Sequence, residues 1–71
     1  MASVQLKFGR HLRRIREGRE ISQEKLAELC GLHRTYVSSV ERGERNISLV
    51  NIERLAKALR IKMRDLMPRD A

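Results

Sequence analysis

The stretch GLHRTYVSSVERGERN, residues 31–46, places Arg34, Thr35, Tyr36, Ser38 and Ser39 within six positions. These residue types suit one chemistry in particular. An arginine fork can donate two hydrogen bonds to the O6 and N7 of a guanine, and a threonine can bond a base edge or press its methyl on that of thymine. Serines at Ser38 and Ser39 add short donors and acceptors. Tyr36 can pack its ring at the domain edge while its hydroxyl reaches a phosphate. Val37 and Val40, three positions apart, would pin the same segment to a core by its other side. A solvated helix face with an ordinary arginine is the bland alternative, and the triplet RTY does not decide between them.

The elements around this segment narrow the choice. Apolar residues recur at helical spacing along the whole chain, and nothing alternates with period two for long enough to make a strand. The first helix is predicted from Ser3 to Glu17, with Phe8, Leu12 and Ile15 as its apolar stripe and Gly18 as its C-cap. The next three helices share a start signal. Ile21-Ser22 precedes Leu26, Leu32-His33 precedes Val37, and Ile47-Ser48 precedes Ile52, each with the spacing of a hydrophobic staple. Ser22 and Ser48 are good N-caps, whereas His33 is a poor one. The spacing thus predicts helices over Gln23–Cys30, Arg34–Arg42 and Leu49–Leu59, the last turning Leu49, Ile52, Leu55, Ala56 and Leu59 inward. A short fifth helix is expected from Met63 to Leu66, with the closing MPRDA frayed. Residues 1–71 then form one compact all-α, five-helix domain. Helices two and three are joined only by GLH, the tight connection of a helix-turn-helix. In that motif the second helix enters the DNA major groove and its N-terminal residues meet base edges.

Composition agrees with a polyanionic partner. Sixteen Lys and Arg against nine acids give a net charge of +7, and twelve of the sixteen are Arg. Phe8 and Tyr36 are the only aromatics, too few for the stacking platforms of single-strand binders. Cys30 is the one cysteine. It excludes an internal disulfide framework, points to a reducing compartment, and is assigned to the core. Cys30, His11 and His33 lack the close pairing of a zinc site, so no metal and no cofactor are expected. No apolar run approaches the ~20 residues of a membrane span. The opening MASVQLKFGRHLRR has no apolar centre, so it is not expected to be a secretory signal.

SQEKLAELCGLHRTYVSSVERG, Ser22 to Gly43, resembles the helix-turn-helix of the Xre family, which includes phage Cro and lambdoid repressors. The resemblance runs from about Phe8 to Met67. Within the family, RTYVSSVERGERN is most similar to the small controller proteins of restriction-modification systems and to stand-alone regulators like them. The resemblance implies a lambda-repressor-like DNA-binding fold. It places Arg34, Thr35, Ser38 and Ser39 at base-reading positions and Gln23 at a phosphate. Arg45, Asn46 and Asn51 fall where the loop and the start of helix four approach the DNA backbone. His33 departs from the usual small or acidic cap and is read as reaching a phosphate or base instead. Arg16 and Glu41 fall at positions that pair in related repressors and are read as a structural ion pair. Arg10, Arg13 and Arg14 read equally as a phosphate-facing strip and as a solvated face.

The expected function is therefore a sequence-specific, double-stranded DNA-binding regulator, cytoplasmic and encoded by a bacterium, phage or plasmid. A single recognition helix reads few base pairs, which argues for a homodimer on a pseudo-palindromic site. The dimer surface is placed at about residues 47–67, on Ile47, Leu49, Ile61, Met63, Leu66 and Met67. No small-molecule ligand is expected. One alternative is the antitoxin of a toxin–antitoxin pair. Another, of a different class, is a basic amphipathic module binding a membrane or a partner helix. An enzyme is least favoured, because no His–acid or Ser–His constellation is present.

Overall fold

The computed structural model describes residues 3–69. Five helices follow one another: α1 (Val4–Gly18), α2 (Gln23–Cys30), α3 (Arg34–Glu41), α4 (Leu49–Leu59) and α5 (Met63–Leu66). Serine caps start three of them. Ser3, Ser22 and Ser48 accept from the backbone N–H groups of Leu6, Lys25 and Asn51 at 3.0–3.1 Å. Each satisfies a donor that the first turn would leave free. His33 precedes α3 without a side-chain cap, as its ring suggests. Gly31 ends α2 in the left-handed region at φ 72°, which turns the chain directly into α3.

The core is one cluster drawn from all five helices: Phe8 and Leu12 of α1, Leu26, Ala27 and Cys30 of α2, Val37 and Val40 of α3, Ile52, Leu55, Ala56 and Leu59 of α4, and Leu66 of α5. α1 packs on α3 and α5, α2 on α3 and α4, and α4 on α5. Two glycines set the approach of α1 to α3 and the loop after it. A Cβ on Gly9 would lie 2.4 Å from the carbonyl oxygen of Val40, so the α1 backbone rests against the end of α3. Gly43 has φ 77°, and a Cβ there would lie 2.7 Å from Leu6 Cα. Its conformation and its contact both call for the residue without a side chain.

The fold corrects several expectations. Gly18 is the last residue of α1, and Arg19, with right-handed φ and ψ, is the cap. Arg19 is anchored there by donating to Leu59 O at 2.7 Å. Leu49 does not face inward. It is 74% exposed, while Ile52, one turn further along α4, is the first residue of that stripe to be buried. Leu66, placed on the dimer surface by its sequence, is wholly buried. Its four-residue helix packs against α1 and α4, so Leu66 supports the core, while Arg64 and Asp65 of the same helix are exposed. Ile61 and Met63 are half-buried against the same core. Asp70 and Ala71, in the segment expected to fray, lie outside the described residues, as do Met1 and Ala2. Among the described residues no helix is long and apolar enough to cross a membrane.

Candidate nucleic-acid interface

Val37 and Val40 are almost fully buried, and they fix which side of α3 faces out. Arg34, Ser38 and Arg42 follow at intervals of four, with Thr35 beside them, so they line one outward stripe. Arg34 and Thr35 are exposed. The Arg34 guanidinium stands 3.9 Å from the carboxylate of Glu24 on α2. At this exposure the pair is weak, and it leaves the fork available to another acceptor. Ser38 accepts from Arg42 Nη1, while Arg42 Nε and Nη2 donate to the two carboxylate oxygens of Glu44 at 3.1 and 3.0 Å. These hydrogen bonds raise the Arg42 pKa and lower that of Glu44. Arg42 was missed as a candidate. Its signal was its place four residues after Ser38.

Ser39 does not belong to this stripe. It is buried, because the segment after α3 folds back across it. Glu44 N donates to Ser39 O at 2.9 Å, and Arg45 Nε donates to Ser39 Oγ at 3.1 Å. The Ser39 hydroxyl itself donates to Tyr36 O at 2.9 Å. A base-reading role for Ser39 is therefore replaced by an internal one.

The neighbouring backbone-facing candidates form a joined group. The Arg45 guanidinium lies 5.5 Å from the centre of the Tyr36 ring, within cation–π range. Asn51 Nδ2 donates to Tyr36 Oη at 3.1 Å. Since the phenol oxygen is accepting from Asn51, its own proton is left to be donated elsewhere. Asn51 is itself positioned at the start of α4, its backbone N–H held by Ser48. Asn46 is exposed beside Arg45, at the rim of a shallow hollow shared with Val4, Phe8 and Met67. His33 is exposed at the start of α3.

Gln23, at the start of α2, is tied to the frame. Its Nε2 donates to Glu41 Oε1 at 3.0 Å. The same carboxylate receives Arg16 Nε at 2.7 Å and Arg16 Nη2 at 3.0 Å. Arg16 Nη1 donates to Ile21 O at 2.8 Å, so one guanidinium joins α1, the α1–α2 turn and the end of α3. The hydrogen bonds to Glu41 raise the Arg16 pKa against the opposing effect of burial. The expected Arg16–Glu41 contact is thus present and nearly dry, and Gln23 extends it to the front of α2.

The sequence pattern of the helix-turn-helix family matches residues 12–66. The chain belongs to the helix-turn-helix family. The control protein C.BamHI of Bacillus amyloliquefaciens is 52% identical over 66 residues, covering 92% of this chain and 82% of its own length. The crystal structure of the restriction-modification controller protein C.AhdI from Aeromonas hydrophila matches with a TM-score of 0.87 at 56% identity, covering 89% of this chain and 96% of that one. The hypothetical transcription factor NHTF from Neisseria matches with a TM-score of 0.88 at 42% identity, over 96% of this chain and 79% of that one. This helix-turn-helix family is one of DNA-binding transcription regulators and not of enzymes.

Proposed function

We propose that this chain is a sequence-specific transcription regulator that binds a pseudo-palindromic operator as a homodimer, and that it serves as the controller of a restriction-modification system. The observation that carries the reading is the outward stripe of α3, with Arg34 and Thr35 at its exposed N-terminal end and Tyr36, Arg45 and Asn51 gathered at its flank. Arg34 and Thr35 read base edges, with Ser38 and Arg42 further along the groove. Tyr36, Arg45, Asn46, Gln23 and His33 approach the phosphates of the same site. Similarity to C.BamHI and C.AhdI supports the controller role.

The dimer rests on a second observation. Leu49 is 74% and Val50 61% exposed, side by side at the start of α4. Ile47 borders them, and Met67 and Val4 add apolar surface on the same hollow that Ile47 lines. Such adjacent apolar exposure marks an association surface. Ile61 and Met63, after the far end of α4, are half-buried against the core. Selection of bound duplexes from a random library tests both parts. A recovered motif with two inverted half-sites about one helical turn apart, on the order of 34 Å, is expected. A motif with a single half-site, or no enrichment, overturns the proposal.

A further inference from the structure

The Ser39 hydroxyl has one proton and two lone-pair directions. Its proton is spent on Tyr36 O, one turn back along α3. A carbonyl oxygen can only accept, so the direction of that bond is fixed. The bond in turn fixes the hydroxyl rotor and leaves the lone pairs turned toward the loop after α3, where Arg45 Nε donates to the oxygen. Serine bonds to a preceding carbonyl are common in helices and add little to them. The use made of the remaining lone pairs is specific to this site.

Arg45 is held by its inner nitrogen. Its Nε is bound to Ser39, the flat guanidinium lies near the Tyr36 ring, and Nη1 and Nη2 make no hydrogen bond among the described residues. The side chain is exposed, yet its last rotatable bonds are constrained by a buried neighbour. An arginine that is free in solution loses rotamer freedom when it grips a phosphate. One already fixed loses less.

From this geometry we infer that Ser39 is a positioning residue, which aims the Nη1 and Nη2 edge of Arg45 at a phosphodiester of the bound duplex. The inference rests on the proposed DNA-binding function and adds to it a residue that never touches DNA. Ser39 acts only through Arg45, by lowering the ordering cost of a phosphate contact.

The experiment is a double-mutant cycle on the full chain: wild type, Ser39→Ala, Arg45→Ala and the double variant. Binding to the selected operator is followed across a series of salt concentrations, and thermal melts confirm that each variant is folded. Ser39→Ala should weaken binding by roughly two- to tenfold per subunit, the cost of ordering one more flexible side chain. It should do so equally for all operator variants. Its salt dependence should match wild type, because Arg45 still neutralises its phosphate. Arg45→Ala should lower the salt dependence by about one ion per subunit. In that background Ser39→Ala should have no further effect. Arg45→Lys, which keeps the charge but has no Nε, should be equally insensitive to Ser39→Ala, and Ser39→Thr should restore binding. In a 15N spectrum of the free protein, the Arg45 Nε–H should exchange slowly with water, and Ser39→Ala should abolish that protection.

If Ser39→Ala weakens binding in full on top of Arg45→Ala, or changes the salt dependence, the positioning role is overturned and the phosphate role of Arg45 stands. If Arg45→Ala leaves affinity and salt dependence unchanged, this surface does not face the duplex, and the function proposed above fails with it. If Ser39→Ala does not fold, fast exchange of the Arg45 Nε–H in the wild type is sufficient to overturn the inference, and slow exchange supports it.

Discussion

Arg16 and Glu41 face each other through two parallel hydrogen bonds, with their side chains only 10% and 3% exposed. Twenty-five positions separate them in sequence, and they tie α1 to the last turn of α3. A nearly dry ion pair is a weak source of net stability when set against an apolar pair, but breaking one half of it is costly. Arg16→Ala leaves the Glu41 carboxylate with only Gln23, and Glu41→Ala leaves a buried guanidinium with only Ile21 O. Each should lower stability by about 3–5 kcal/mol. The double variant should be far less damaged than the sum of the two. Thermal or urea melts of the four proteins check this, and additive losses would show that the two residues act independently.

Gly9 sets the spacing between α1 and α3. A Cβ at that position would meet backbone oxygens of Val40 and Glu41 at 2.4 and 2.6 Å. Backbone cannot swing aside as a side chain would, so Gly9→Ala should cost about 1–3 kcal/mol or more through overpacking, despite the better helix propensity of alanine. Because the displaced element is the end of α3, operator affinity should fall as well. A stable Gly9→Ala protein with unchanged binding would contradict this packing.

Arg34→Ala should remove about 1–3 kcal/mol per half-site and flatten preference at one base pair. Titrations against single-base operator variants report it. Equal weakening on every sequence would make Arg34 a phosphate contact and move base reading to Thr35, Ser38 and Arg42. Glu24→Gln removes the carboxylate that shadows Arg34 and should strengthen binding to all sequences modestly, since one negative charge leaves the interface.

Leu49 and Val50 are the test of the dimer. Burying a leucine is worth roughly 1.5–3 kcal/mol. Leu49→Asp, lost from both copies, should therefore weaken self-association by at least about tenfold. Leu49 makes almost no contribution to the core, so the melting of the folded chain at high dilution should change little. Sedimentation velocity over a wide concentration range distinguishes the outcomes. Unchanged association would move the interface away from the start of α4.

Cys30 provides a probe of opening. Burial raises its thiol pKa, with hydrogen bonding opposing the shift less strongly. A raised acid pKa means that the unfolded chain ionises first, so this group's effect on stability is absent at low pH and becomes unfavourable as pH rises past the unfolded value. Reaction with a thiol reagent at pH 7–8 should be slow and should track unfolding by urea. Fast labelling of the native protein would show that α2 opens locally.

The helix boundaries were legible because their signals are local. Ser22 and Ser48 cap their own backbone, and Gly31 turns its own chain. The misplacements share a different cause. Helical spacing puts Leu49 on the inward stripe of α4, yet spacing does not say at which turn that stripe becomes buried, and here burial begins at Ile52. Ser39 lies among outward-reaching residues in sequence and is buried by a loop that its helix's period does not describe. Leu66 belongs to a helix too short for its faces to be told apart. The outward side of α3, which carries Arg34 and Thr35, was legible because two deeply buried valines of the helix determine the opposite side.

The group proposed to grip the phosphates, with the serine that positions it, is assembled from three pieces of chain: Tyr36 and Ser39 from α3, Arg45 from the following loop, and Asn51 from α4. Grafting residues 34–41 alone onto another scaffold would transplant the side chains proposed to read bases without the group that seats them. A chimera intended to carry this specificity needs the continuous block from Arg34 to Asn51. If the proposed roles hold, recognition can diversify most freely at Arg34 and Thr35, where the one side-chain tie among the described residues is the weak Arg34–Glu24 pair, while drift at Ser39 or Asn51 would loosen every sequence the protein reads.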